Sequence, residues 1–270
     1  MIDRRFFLGG TLGASLGVLL TSHRASAQDA RAKFAALEQA VSGRLGVTII
    51  DSGNSKRLSY RADERFALLS TFKALAAGCV LARVDRREEK LDRRVKYTQA
   101  DVLSYAPVTK LHVADGMTMA EICDAAIGVS DNTAGNLMLA SFGGPEGLTK
   151  WLRSIGDNVT RLDRTEPTPN EAKTGDPRDT TTPNAMAETL RKLLTGDALN
   201  PASQKQLADW LGASEVSDKR LRAGLPAGWR VGDKTGTNDV GCGNDVAITW
   251  PPNRAPLRIA SFVDHASLPP

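Results

Sequence analysis

The chain has few of the residues that disulfides and metal sites require. Its 270 residues include three cysteines and three histidines. The cysteines, Cys79, Cys123 and Cys242, are too far apart for a Cys-x-x-Cys metal site, and their odd number leaves at least one thiol unpaired. The scattered histidines argue against a His-based zinc site. We therefore expect no metal and no other cofactor.

The chain also lacks a strong excess of one charge. Its formal net charge is +4, and the first 27 residues, with three arginines and one aspartate, contribute half of it. No run of lysine and arginine is interleaved with aromatic residues. This distribution argues against nucleic-acid binding. The 41% of hydrophobic and 24% of charged residues are typical of a globular protein, and a chain of this length can bury a large core.

No hydrophobic run is long enough to span a bilayer comfortably; the apolar stretch near the N-terminus is Gly9–Leu20. It follows the pair Arg4-Arg5 and precedes the small residues of Ala25–Ala27. This order predicts an export signal peptide over residues 1–27. The paired arginines favour the twin-arginine route, with an ordinary secretory signal as the alternative. We expect the mature protein to be periplasmic, with no membrane contact after cleavage.

Hydrophobic spacing predicts strands near both ends of the mature chain and helices between them. The predicted strands are 46–51, 58–61, 229–237, 243–250 and 257–264, and the predicted helices are 29–43, 70–84, 119–127, 132–141, 145–155, 183–195 and 201–212. This order predicts an α+β fold: an antiparallel sheet formed by both chain ends, flanked by helices, with an inserted helical lobe. Residues 28–270 would form one catalytic unit, with 28–68 and 213–270 in the sheet lobe and 69–212 in the helical lobe. A cleft between the lobes is a natural place for an active site.

The chain contains a single Ser-x-x-Lys motif, at Ser70 and Lys73, and it opens a predicted helix. Backbone N–H groups at a helix N-terminus stabilise negative charge that develops near them. Lys73 would lie on the same helix face as Ser70. If it is buried, it loses basicity and can accept a proton. Taken alone, a capping serine and a solvated lysine are the better interpretation of this motif.

Two more tripeptides follow in order, Ser-Asp-Asn at 130–132 and Lys-Thr-Gly at 234–236. Alone, the first would be a helix N-cap cluster and the second an edge strand protected by a lysine. The joint chance of all three motifs is about one in a thousand. The combination therefore favours chemistry, in which Ser130 relays a proton, Asn132 holds a carbonyl or amide, and Lys234 grips a carboxylate.

This combination resembles the motif set shared by penicillin-binding proteins and class A β-lactamases. The irregular stretch 161–180 contains Glu166-Pro-Thr-Pro-Asn170, which is similar to the Ω-loop of the lactamases. Arg164 and Asp179 match the pair that closes that loop. The resemblance runs from about residue 30 to about residue 265. Without it, 161–180 would be interpreted as a mobile surface loop.

The resemblance implies a serine β-lactamase that opens β-lactam antibiotics through an acyl-enzyme on Ser70 and thereby confers resistance. The proton of Ser70 would pass to Lys73, or through a water to Glu166. The implied catalytic residues are Ser70, Lys73, Ser130 and Glu166. The implied substrate-binding residues are Tyr105, Asn132, Asn170, Arg220, Lys234, Thr235, Gly236 and Thr237. The implied partner is a small-molecule β-lactam, bound by a monomer.

Two alternatives share the same acylation chemistry. A D-alanyl-D-alanine peptidase also acylates its serine but has no dedicated carboxylate for deacylation, so Glu166 favours hydrolysis. A β-lactam-sensing module stays acylated and needs a membrane anchor. Cleavage after Ala27 would remove the only candidate anchor.

The chain departs from the family pattern at two places. Many members have a disulfide whose first cysteine lies two positions before Cys79. Two positions are roughly 200° of helix rotation, so we expect Cys79 and Cys123 to be unbridged. Members also end in a long helix packed on the sheet, whereas this chain stops soon after the predicted strand 257–264. We therefore expect exposed apolar side chains on one face of that strand, either Leu257, Ile259 and Val263 or Ala260 and Phe262.

Overall fold

A computed structural model describes residues 28–266, so the predicted signal peptide lies outside the described residues. The strands are β1 (Arg44–Asp51), β2 (Arg57–Tyr60), β3 (Phe66–Ala67), β4 (Arg94–Val95), β5 (Met117–Thr118), β6 (Thr180–Thr181), β7 (Arg230–Thr237), β8 (Gly243–Trp250) and β9 (Leu257–Asp264). The α-helices are α1 (28–41), α2 (Phe72–Asp85), α3 (Met119–Gly128), α4 (Asn132–Ala140), α5 (Gly144–Ser154), α6 (Pro183–Leu194), α7 (Pro201–Gly212) and α8 (Leu221–Gly224).

Five strands form one antiparallel sheet in the order β2-β1-β9-β8-β7. The first two come from the start of the described chain and the other three from its end, which confirms the predicted α+β fold. β8 and β9 have the predicted bounds, and the other three strands agree within two residues. The two-residue pairs β3–β6 and β4–β5 were not predicted, because two residues carry no detectable period.

The core is built around α2, which contacts α3, α4, α5 and α7. Every residue from Phe72 to Ala82 is buried. A helix that is buried on all sides belongs in the centre of a domain rather than on its surface. One face of the sheet packs towards this core, where Phe262 of β9 contacts Phe66. The start of α2 therefore lies close to the sheet, at the boundary between strands and helices.

Gly236 in β7 allows the sheet to approach the segment just before α2. A Cβ atom at this position would lie 2.8 Å from Leu69 Cβ and 3.1 Å from the backbone nitrogen of Ser70. Real side chains do not tolerate the first of these distances, so the approach requires glycine. The strand is thereby held directly against Ser70.

The outer face of β9 is less exposed than the sequence predicts. Ile259 is buried, and Leu257 and Val263 are half-buried. Ala260 and Phe262 face the core and are buried. For the described residues, the expectation of an exposed apolar face is therefore wrong.

The physical reason lies partly in α1, which covers the β1–β2 edge of this outer face. Tyr60 of β2 pairs with Val47 on that face, and its ring centroid lies 6.1 Å from that of Phe34 in α1. Glu38 accepts hydrogen bonds from the Leu45 N–H, at 2.9 Å, and from the Tyr60 hydroxyl, at 2.7 Å. Apolar packing and a charged hydrogen-bond acceptor together fix α1 on the sheet.

The three cysteines are free and buried. Cys79 lies in α2 and Cys123 in α3, and both belong to the apolar core. They are unbridged, as the helix rotation predicts.

Asp131 joins α4 to the segment that precedes α3. Its side chain caps α4 by accepting the Ala134 N–H at 2.9 Å. It also accepts the backbone N–H groups of Val108, at 3.1 Å, and Thr109, at 2.9 Å, together with the Thr109 hydroxyl. The carboxylate is fully buried. Its removal would leave several buried donors without a partner.

We expect Asp131→Ala to lower the free energy of unfolding by about 3 kcal/mol or more, because hydrogen bonds to a buried charge contribute about 1.5–3 kcal/mol each. Urea denaturation of the two proteins measures the difference. Asp131→Asn, which keeps an acceptor for the N-cap, should lose less. A loss below about 0.5 kcal/mol in the alanine variant would contradict the stabilising role given to the hydrogen bonds of Asp131.

Candidate active site

Ser70 lies in a short 3-10 turn, Leu69–Thr71, that leads into α2. The predicted helix 70–84 therefore begins two residues later than expected, because the first turn is wound more tightly. Leu69 has a φ of 47°, in the left-handed region that non-glycine residues rarely adopt. Such strain costs of the order of 1–3 kcal/mol and clusters at functional sites. The next residue, Ser70, lines a cleft.

Lys73 is fully buried and contacts residues of the Ser-Asp-Asn motif and of the loop that carries Glu166. Its Nζ lies 3.1 Å from Ser70 Oγ and 3.0 Å from Glu166 Oε1. It also donates to the carbonyl oxygen of Ser130 at 2.8 Å and to Asn132 Oδ1 at 2.7 Å. Burial lowers the pKa of Lys73, and the negative charge of Glu166 opposes that shift. The lysine is thus held beside the serine with its basicity reduced.

The Ser130 hydroxyl lies between two lysines. Its Oγ is 3.0 Å from Lys234 Nζ and 3.4 Å from Lys73 Nζ. Ser130 also has a φ of 60°, so a second residue of the site adopts a rare backbone conformation. Burial, followed by the positive charge of Lys73, lowers the pKa of Lys234 to about 7. A hydroxyl in this position can pass a proton in either direction.

Glu166 is buried and held from both its backbone and its side chain. Asn136 of α4 accepts the Glu166 N–H at 2.9 Å and donates to its carbonyl oxygen at 3.1 Å. Asn170 donates to Glu166 Oε2 at 2.6 Å, and Ser70 Oγ lies 3.3 Å from Oε1. The side-chain oxygen of Asn170, Oδ1, is buried without a partner among the described residues. A buried polar atom beside a carboxylate is a suitable contact for a bound water.

The segment that carries Glu166 is closed by ion pairs. Arg164 pairs with Asp179 and, at 3.1 Å, with Glu171. Asp179 also accepts the backbone N–H groups of Asp163, at 2.7 Å, and Arg164, at 3.0 Å. The predicted pair of Arg164 and Asp179 therefore forms in the structure. It holds the two ends of the irregular stretch together.

These residues surround a cleft of about 670 Å³. Eight of the predicted site residues line it, namely Ser70, Tyr105, Ser130, Asn132, Asn170, Thr235, Gly236 and Thr237. Three further predicted residues are buried behind the cleft. Lys73 and Glu166 contact the hydroxyl group of Ser70, and Lys234 contacts that of Ser130. Arg220 donates to Thr237 Oγ1 at 2.9 Å. The structure thus brings all twelve predicted residues together in one place.

Two contributors to the site were not predicted from the sequence. Asn136 holds the backbone of Glu166 from the middle of a helix, where nothing in the sequence distinguishes it from a surface polar residue. Asn238 donates from its side chain to the carbonyl oxygen of Asn170 at 3.0 Å. In the sequence, only its position directly after Thr237 indicates that Asn238 lies near the site.

Comparison with known proteins agrees with this site. A model of the β-lactamase enzyme family matches residues 29–270. The chain is 48% identical to the β-lactamase CTX-M-8 of Citrobacter amalonaticus over 88% of this chain and 82% of that protein. It is 50% identical to the β-lactamase FAR-1 of Nocardia farcinica over 89% and 76%.

Solved structures give the same result. An ancestral class A β-lactamase superposes with a TM-score of 0.88 at 59% identity, covering 88% of this chain and 92% of that one. A class A enzyme described as putative, PenP from Rhodopseudomonas palustris, superposes with a TM-score of 0.88 at 55% identity, covering 89% and 92%. The chain therefore belongs to the class A β-lactamases, enzymes that hydrolyse β-lactam antibiotics.

Proposed function

We propose that Ser70 is the nucleophile and that it forms an acyl-enzyme with the β-lactam carbonyl. The observation that carries the proposal is the position of its Oγ, 3.1 Å from Lys73 Nζ and 3.3 Å from Glu166 Oε1. Either group can take the hydroxyl proton, directly or through a water. The backbone N–H groups of Ser70 and Thr237 would stabilise the oxyanion, at about 3 kcal/mol for each donor.

The opposite side of the cleft would bind the substrate. Lys234, Thr235 and Thr237 would contact its carboxylate, supported by Arg220, whose guanidinium donates to Thr237. Gly236 lets that strand lie against the nucleophile. Asn132 would hold the amide of the drug's side chain, and the half-exposed Tyr105 would flank the mouth of the cleft.

Ser130 would then deliver a proton to the lactam nitrogen as the ring opens. Its hydroxyl contacts both lysines, so it can be reprotonated from either. Glu166 and Asn170 would activate a water that attacks the acyl-enzyme, with the unpartnered Asn170 Oδ1 as the second contact for that water. This step separates hydrolysis from permanent acylation.

We also propose that residues 1–27 are an export signal and that the remaining chain acts as a periplasmic monomer. The support is the order of Arg4-Arg5, the apolar stretch and Ala25–Ala27. Within residues 28–266, no helix is long and apolar enough to cross a membrane. N-terminal sequencing of protein from the periplasm should begin near Gln28, and replacement of both arginines by lysine should block twin-arginine export. Export that continues unchanged would indicate the ordinary secretory route.

The lowered pKa of Lys234 predicts a decline of kcat/KM at alkaline pH. Above its pKa of about 7 the lysine of the free enzyme loses its charge and attracts the substrate carboxylate less strongly. kcat/KM should fall with the protonated fraction of Lys234 as pH rises beyond about 7, and should level off at the activity of the enzyme with neutral lysine. Lys234→Arg keeps its charge throughout this range and should flatten the decline. A decline of the same size and position in both proteins would assign it to another group.

The role of Glu166 is tested with a chromogenic cephalosporin. The unmodified protein should hydrolyse the cephalosporin steadily, whereas Glu166→Ala should open one equivalent of it, keep it bound to Ser70 and then stop, because deacylation loses its base. Asn136→Ala is the matched comparison: it keeps the carboxylate but removes its support, and should slow turnover less than Glu166→Ala. Undiminished turnover by Glu166→Ala would contradict the proposed deacylation step, and a burst without turnover in the unmodified protein would indicate a peptidase or sensor.

A further inference from the structure

A second group of chemically active side chains lies where the turn between β7 and β8 meets the end of β9. Gly243 of β8 pairs with Val263 of β9. The next residues beyond this pair, Cys242 and Asp264, therefore lie side by side, and His265 follows directly. Among residues 28–266 this is the only group of three or more histidine, cysteine, aspartate or glutamate side chains with the spacing of a metal site.

The three potential ligand atoms lie close together. Asp264 Oδ1 is 3.3 Å from Cys242 Sγ and 3.3 Å from His265 Nε2. All three atoms lie within 4.8 Å of one another. A tetrahedral zinc ion with bonds of about 2.0–2.3 Å holds its ligand atoms roughly 3.3–3.8 Å apart. Small side-chain movements would therefore complete three corners of such a site.

Neighbouring side chains orient two of the three potential ligands. Arg44 donates to the other carboxylate oxygen of Asp264 at 2.7 Å, which orients Oδ1 towards the cluster. The Thr174 hydroxyl lies 2.9 Å from His265 Nε2. A cavity of about 750 Å³ reaches Asp264 and His265, and five cationic side chains also line it, namely Arg44, Arg65, Arg164, Lys173 and Arg178. Thiolate and imidazole ligands favour zinc over magnesium or calcium.

We propose that Cys242, Asp264 and His265 bind one Zn²⁺ ion, with a water or the Thr174 hydroxyl in the fourth position. The thiol proton of Cys242 passes to solvent when the sulfur–zinc bond forms, so binding weakens as pH falls. This proposal revises the expectation of no metal. The sequence spacing did not indicate the site because strand pairing, not chain proximity, brings Cys242 to Asp264.

The site is connected to the catalytic cleft by hydrogen bonds. The Cys242 N–H donates to Asn238 Oδ1 at 2.9 Å, and the Asn238 N–H donates to the Cys242 carbonyl oxygen at 3.2 Å. Asn238 in turn donates to the carbonyl oxygen of Asn170 at 3.0 Å. Zinc would hold this turn against β9 and stabilise the fold without taking part in the reaction. The proposal stands on the cluster's own geometry, and its test does not depend on turnover.

The test uses protein produced from the full-length chain, stripped of metal with a chelator, and titrated with Co²⁺ and Zn²⁺. Co²⁺ bound by a thiolate gives a near-ultraviolet charge-transfer band, which should saturate at one equivalent and disappear when Zn²⁺ is added. Zn²⁺ should also raise Tm, as a ligand that binds only the folded state does. Cys242→Ser should abolish the band, and His265→Gln should weaken binding at least tenfold. His112→Gln, which changes an exposed histidine outside the cluster, should behave like the unmodified protein.

The absence of binding at one equivalent in the unmodified protein would overturn the proposal. So would a charge-transfer band of equal strength in Cys242→Ser, since the buried Cys79 or Cys123 would then be its source. If Cys242→Ser does not fold, His265→Gln decides, and unchanged affinity there rejects the site. Cephalosporin turnover by the metal-free protein is measured separately, so failure of this proposal leaves the proposed reaction untouched.

Discussion

The buried ion pair between Lys73 and Glu166 is the interaction on which the active site depends. Its two charged atoms lie 3.0 Å apart, and both side chains are removed from solvent. Burying two charges is costly unless each finds further hydrogen bonds. Lys73 finds them at Ser70, Ser130 and Asn132, and Glu166 finds one at Asn170. These hydrogen bonds hold α2, the start of α4 and the loop that carries Glu166 close together.

The surrounding contacts hold these charged side chains in position. The ion pair of Arg164 and Asp179 closes the loop, and Asn136 holds the Glu166 backbone. On the other side, Gly236 lets β7 approach Ser70 and bring in a second buried lysine. The two ammonium groups repel each other across Ser130, which contributes to the low pKa of Lys234. The proposed reactivity of Ser70 therefore depends on two buried ammonium groups and one buried carboxylate that the fold holds close together.

Much of the fold and of the site could be predicted from the sequence, because the governing signals are local. The strand-forming segments located β8 and β9 to the residue, and the three motifs together with the family resemblance named twelve residues that lie in or around one cleft. Contacts between distant segments carry no such signal. Asn136 resembles any polar helix residue until Glu166 is placed beside it. The burial of Ile259 and the cluster at Cys242 likewise arise from packing and strand register, which a single sequence does not record.

The most direct measurement is the location of the covalent adduct. Glu166→Ala protein is mixed with a penicillin, quenched in acid, digested and mapped by mass spectrometry, with the Ser70→Ala variant treated in parallel. We expect one molecule of opened penicillin on Ser70 and none in the Ser70→Ala protein. An adduct on another residue, or one that persists without Ser70, would contradict the assignment of the nucleophile and with it the role given to the buried pair.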